Sequence, residues 1–83
     1  MNIAVDIIAA FNPLGEIKPI YIRLEDEDHK LRNYELNVIH SKSERYSGIE
    51  TVAFNCTYTE YDSTIKEITV KYHIAAHKWV MVK

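Results

Sequence analysis

Two stretches of this chain alternate so regularly that they leave little choice of fold. In "TVAFNCTYT" the apolar side chains Val52, Phe54, Cys56 and Tyr58 occupy even positions, and Ala53, Asn55, Thr57 and Thr59 occupy odd ones. In "KEITVKYHI" Ile68, Val70, Tyr72 and Ile74 alternate with Glu67, Thr69, Lys71 and His73. A period of two residues places one set of side chains on one face of an extended strand, so each stretch predicts a half-buried β-strand. The turn-rich link "EYDST" between them predicts an antiparallel hairpin. "NYELNVIH" repeats the alternation through Tyr34, Leu36 and Val38, with Ile39 blurring its outer face, and predicts a third strand.

The segment "FNPLGEIKPIYIRLEDED" holds both prolines of the chain and one of its two glycines. "NPLG" presets φ with Pro13 and permits positive φ at Gly15, which is turn chemistry joining "NIAVDIIAAF" to "IKPIYIRLE". Proline cannot donate to a ladder, so Pro19 predicts that the second of these strands is an edge or is bulged there. Glu25 to Asp28 form a solvated acidic link into "HKLRNYEL". "SKSERYSG" reads as a loop, the best place for a short helical turn if there is one, and "AAHK" leads to a closing strand "WVMVK". No helix of ordinary length, internal repeat or linker is visible.

Eighty-three residues, 47% apolar and 27% charged, suit one small globular domain with a single core. Five to six short antiparallel strands without a helix to cover them must roll up to hide one face. The expected fold is therefore all-β, a small antiparallel barrel, SH3-like or related, or a strongly curved meander sheet that dimerises, with a two-layer sandwich as the other way to hide the face. The expected core is Ile20, Ile22, Leu24, Leu36, Val38, Val52, Phe54, Cys56, Ile68, Val70, Tyr72 and Trp79.

The order of short motifs, "FNPLGEIKPIYI", the acidic turn "LEDED", the strand "NYELNVI", a Ser/Arg-rich loop, the aromatic-x-Cys strand "FNC" and a terminal "HKWVM", resembles a family of small uncharacterised bacterial β proteins. The likeness covers most of residues 7 to 83. The chain departs from that pattern at "EDEDHK", which is longer than the usual Asp-Gly turn and lacks glycine. What the resemblance implies is a compact β fold, with no activity attached.

Charge and chemistry narrow the function. The net charge is −2, but residues 1 to 28 carry six acids against Lys18 and Arg23, and residues 29 to 83 carry eight bases against six acids. Lone Cys56 allows neither an internal disulfide nor a thiolate zinc site, and its inward position suits a small core side chain better than a nucleophile. The start "MNIAVDIIAAFN" has no basic n-region, and no stretch approaches about 18 apolar residues, so a soluble, cytoplasmic protein is expected. His73 and His77 are four apart, a zinc spacing only on a helix, and the residues here read as strand and turn. The "EDED" acids lack the spacing and glycine of a calcium loop. No cofactor, metal or catalytic set is expected.

What remains is a non-enzymatic protein-interaction or regulatory module, with single-stranded nucleic-acid binding as the alternative. The latter would use exposed Tyr21, Tyr46 and Tyr61 with bases such as Arg23, Lys30, Arg32, Lys42 and Arg45. An edge strand around Pro19 offers unpaired backbone to another chain, and the acids beside it favour a basic partner. The candidate interaction surface is thus Pro19, Tyr21, Arg23, Glu25 and Asp26, meeting either a partner protein or a second copy in a homodimer. No membrane partner is expected.

Overall fold

The computed structural model describes residues 2–82, and within them the chain is all strand and turn. Eight strands run in order: β1 (Asn2–Ala4), β2 (Asp6–Phe11), β3 (Ile17–Glu25), β4 (Leu31–Glu35), β5 (Asn37–Tyr46), β6 (Ile49–Thr59), β7 (Ile65–His73) and β8 (Lys78–Val82). They form two antiparallel sheets, one of five strands in the order β1-β8-β7-β6-β5 and one of three in the order β2-β3-β4. The ladders do not close into one barrel.

Eight strands stand where five to six were expected because two sequence-level strands each change partner midway. "NIAVDIIAAF" leaves the larger sheet at Val5, and "NYELNVIH" leaves the smaller one at Leu36. Backbone bonding carries on through both corners: Val5 N–H donates to the Trp79 carbonyl at 3.2 Å, and Leu36 N–H to the Ile20 carbonyl at 2.8 Å. Two further irregularities bend the strands. Ile20 and Ile39 are extra residues that face no partner, between the pairs Ala9↔Pro19 and Ile8↔Tyr21, and between Val38↔Cys56 and His40↔Asn55. A bulge of this kind increases local twist, which lets a short sheet wrap.

The bulge expected beside Pro19 is therefore present, but the edge position is not. β3 is the middle strand of its sheet, and Pro19 is among the fully buried side chains. The missing donor is accommodated locally. Asn12 N–H donates to the Glu16 carbonyl, so by antiparallel alternation Ala10 and Lys18 exchange bonds and Ala9 and Pro19 do not. Pro19 nitrogen then points toward the side where β4 has already ended at Glu35.

"SKSERYSG" is not a loop with a helical turn. β5 runs through it to Tyr46 and meets β6 across the two-residue turn Ser47-Gly48, both at positive φ (51° and 81°), the pattern of a type I′ turn whose twist matches a hairpin. Three other hairpins share a different turn. In Asn12–Glu16, Asp26–Lys30 and Glu60–Thr64 the first residue's carbonyl accepts from the fourth residue, its N–H donates to the fifth, and the fourth adopts positive φ. Gly15 fills that fourth position once, but His29 and Ser63 fill it in the others, so "EDEDHK" makes its hairpin without glycine.

The core lies between the layers. Ile22, Leu36, Phe54, Cys56 and Val70 form its buried centre, with Leu24, Val38, Val52, Ile68 and Trp79 packed against them. Tyr72 is buried beside Trp79, ring centroids 5.0 Å apart. Of the expected core only Ile20, displaced by its bulge, is neither buried nor packed against this cluster.

Candidate functional site

The β3–β4 hairpin is built around one carboxylate. Asp26 Oδ1 accepts from the backbone N–H groups of Asp28 and Lys30, each at 2.9 Å, and Oδ2 accepts from Arg32 Nε. The Arg32 bond first, and the Lys30 bond next, hold the Asp26 carboxyl below the usual aspartate range. Arg32 in turn has its pKa raised, chiefly by Asp26 and then by Tyr61, whose ring centroid lies 4.4 Å from the guanidinium carbon. Tyr61 belongs to the β6–β7 turn, so the arginine ties the two neighbouring hairpin tips together. Behind it Tyr34 stacks on Tyr58 at 5.0 Å and meets Tyr61 at 6.2 Å. Burial raises the pKa of both Tyr34 and Tyr58, with Glu60 adding to each.

Two clefts open on either side of this tyrosine stack. One, of about 350 Å³, lies between the hairpin tips under Glu25, Asp26, Glu60 and Asp62. The other, of about 720 Å³, is the mouth between the two sheets. Its apolar floor is Ile3, Val5, Leu24, Tyr58 and Met81, drawn from both layers, and its rim carries Asp6, Glu25 and Asp26 against Arg23 and His29. The His29 ring nitrogen already contacts Glu25 at 2.9 Å, and Arg23 Nε reaches Asn33 Oδ1 at 3.3 Å. The mouth is therefore a slot of mixed polarity, apolar on its floor, with three carboxylates and two cations on its lip.

The structure divides the sequence-predicted surface. Arg23, Glu25 and Asp26 meet at this mouth, and Tyr21 stands on the outer face of the three-stranded sheet, 40% exposed, opposite Ile8. Pro19 is removed from any surface by its burial. Asp6, Met81 and Tyr58 were not part of the predicted surface. Asp6 stands across from Arg23 in the β2–β3 register, a pairing no local pattern in the sequence announces.

Other candidates are placed as follows. Cys56 is buried, and burial pushes its thiol up to about 11, far from an activated nucleophile. His77 Nδ1 lies 2.9 Å from the Tyr72 hydroxyl, while His73 pairs with Lys78 across β7–β8. Among the described residues no group of three His, Cys, Asp or Glu side chains is arranged to hold a metal ion. Tyr21, Tyr46 and Tyr61 are exposed but stand on three separate elements, β3, the end of β5 and the β6–β7 turn. Several bases are already engaged: Arg32 with Asp26, Arg45 with Glu50, and Lys71 with Glu44 at 3.3 Å. No described helix is long and apolar enough to cross a membrane.

Comparison with protein-family models, with curated proteins and with solved structures found no match to this chain.

Proposed function

We propose that the protein is a non-enzymatic recognition module that seats a basic, partly apolar segment of a partner protein in the mouth between its two sheets. One observation carries this reading: a slot of about 720 Å³ with apolar side chains on its floor opens beside Asp6, which makes no salt bridge among the described residues, and Glu25, which meets only His29, while Asp26 is held by Arg32. A floor of Ile3, Leu24, Tyr58 and Met81 gives an apolar side chain a place to leave water, and the lip favours a flanking lysine or arginine over an acid. Asp26 supports binding rather than proton transfer, because its bonds to Arg32 and Lys30 keep it ionised well into acid.

The reading places the protein in the cytoplasm, in line with its single free thiol, and includes membership in the bacterial β family that its motifs resemble. An open relative of the small SH3-like barrels, with ligand taken at one end, is the architecture that goes with it. Single-stranded nucleic acid is the weaker reading, since the carboxylates of the lip repel phosphate and Arg32, Arg45 and Lys71 are internally paired.

The test is a titration followed by amide chemical shifts, using a short peptide of alternating lysine and leucine and its glutamate–leucine counterpart. Shifts should gather on Leu24, Glu25, Asp26, His29 and Tyr58 with the lysine peptide alone. They should weaken with added salt and vanish in the double variant Asp6→Lys, Glu25→Lys. Equal binding of the acidic peptide, or shifts centred elsewhere, would refute the proposal. Salt-sensitive binding of oligo-dT in place of the peptide would move the assignment to nucleic acid.

A further inference from the structure

β2 is one of the two outer strands of the three-stranded sheet, and its backbone can be oriented from two bonds at its ends. Asn12 N–H donates toward Glu16, beside β3, and Val5 N–H donates away from it, to Trp79. Successive residues of a strand point their backbone groups to opposite sides. Even-numbered residues of β2 therefore face β3, and Ile7, Ala9 and Phe11 face outward, where no described strand pairs with them.

Exposed edges are ordinarily blunted by charge, proline or a bulge on the strand itself. Here the proline and the bulge sit on β3, and the exposed sequence is DIIAAF, with Asp6 its one charge. Ile8 is 60% exposed and Phe11 63%. The accessible surface of 6188 Å² also exceeds the value of about 5,100 Å² usual for a monomer of this mass. The surplus, roughly 1,000 Å², is of the size each partner covers in an ordinary stable interface, about 800 Å².

We infer that a second copy of this chain pairs with β2, antiparallel about a two-fold axis at Ile8, to give a continuous six-stranded sheet β4-β3-β2-β2-β3-β4. Outward-facing residues must meet outward-facing residues, and this register puts Ile7 opposite Ala9 of the second copy, twice over by symmetry. Its central row on the outer face reads Tyr21, Ile8, Ile8, Tyr21, because Tyr21 is the partner of Ile8 within each chain. The next row reads Arg23, Asp6, Ala10, Lys18, since Asp6 pairs with Arg23 and Ala10 with Lys18. Lys18 of the second copy thus reaches across small Ala10 toward Asp6, which sets a cation on either side of the one acid. At Val5 that edge is already taken by the Trp79 carbonyl, so the new ladder stops after Ile7 and leaves Phe11 of the second copy beside a cleft of about 470 Å³ bordered by Ile7, His77 and Trp79. A register centred on Ala9 would instead set Asp6 against Asn12 and lose both rows. The proposal does not depend on the peptide-binding reading.

Sedimentation equilibrium decides it. At about 100 µM, a concentration at which a micromolar complex is almost fully formed, the protein should have twice its chain mass of 9.7 kDa. Ile8→Lys and Ala9→Pro should each raise the dissociation constant at least about tenfold, a loss of about 1.4 kcal/mol or more. Both leave the monomer intact, because Ile8 is on the outer face and the Ala9 N–H bonds nothing within the chain. Circular dichroism at low concentration verifies that. Ile8→Cys should cross-link into a covalent dimer on mild oxidation, while Tyr46→Cys, on the other sheet, should not. A wild-type protein monomeric at this concentration, or a dimer indifferent to both Ile8→Lys and Ala9→Pro, overturns the proposal.

Discussion

The two sheets are built from the same alternating grammar and use it to different ends. The five-stranded sheet supplies most of the buried side chains, Phe54, Cys56, Val70, Tyr72 and Met81, whereas the three-stranded sheet supplies Ile22 and Pro19 and leaves Ile8, Phe11, Tyr21 and Leu31 exposed. The larger sheet exposes Ile39, Tyr46, Ile49 and Ile65 as well, but these lie at its bulge or at strand ends, whereas Ile8 and Tyr21 stand side by side in mid-strand on the smaller one. The larger sheet holds most of the core, and the smaller one lies over it as a lid while presenting Ile8 and Tyr21 outward.

That division can be broken most sharply in the larger sheet. Phe54→Ala should cost about 3–5 kcal/mol, the range for deleting a buried phenylalanine, which rivals the total stability of a small domain. Urea unfolding should show most of the variant unfolded without denaturant. Ile8→Ser, measured at a concentration low enough to keep the chain monomeric, should shift stability by no more than about 0.5 kcal/mol. Comparable losses from the two would abolish the distinction.

Gly48 probes the turn that closes the β5–β6 hairpin. A Cβ there would meet nothing within 4 Å, yet φ is +81°, so Gly48→Ala should cost about 1–2 kcal/mol from backbone strain alone. A smaller loss in the urea midpoint would mean that the turn relaxes.

Asp26 probes the lid. Its folded-state pKa is depressed, so its contribution is present above the unfolded value of 3.8 and is lost as pH falls through the folded value. Asp26→Asn should be less stable than wild type at pH 7, and the two stability curves should converge as the pH falls below 3.8 and through the lower folded-state value. Parallel curves down to that pH would detach Asp26 from the hairpin's stability. The smallest effect is expected at Ser63, which holds φ of 69° in the β6–β7 turn. Ser63→Gly should stabilise by about 0.5 kcal/mol, as relief of the left-handed conformation outweighs the added freedom of the unfolded chain.

How far the sequence could be read follows from what alternation records. It marks which face a residue takes and is silent about which strand lies alongside. Ile3, Val5 and Ile7 keep one parity through the first corner, as Tyr34, Leu36 and Val38 do through the second, so nothing in the pattern shows the change of sheet. The core was legible for the same reason, Ile20 apart, because parity alone assigns it. β5 beyond Ile39 escaped because Ser41, Ser43 and Arg45 take the inward parity on the outer strand of the sheet, exposed even though Ser41 and Ser43 lie across from Phe54 and Val52, and a strand with two polar faces reads as a loop. Pro19 was half legible: proline signals an interruption in a ladder, and a bulge within a central strand satisfies it as well as an edge does. Of the mouth between the sheets, the Glu25–Asp26 acids were visible as a charged turn, while Ile3, Tyr58 and Met81 come from elements far apart in the chain that only the tertiary fold brings together.

The pairing of β1 with β8, in which Asn2 lies across from Val82, has a kinetic consequence. Closing that ladder brings together residues almost the whole chain apart, the largest loop-entropy penalty any contact here can carry. The hairpins β2–β3, β5–β6 and β6–β7 can each form from neighbouring residues, so folding has fast local steps and one slow global one. On the ribosome the lid and the central meander can assemble before β8, but the mouth between the sheets has no Met81 in its floor until β8 is added, and a chain truncated before Lys78 would leave Ile3 and Val5 without the strand that pairs beside them.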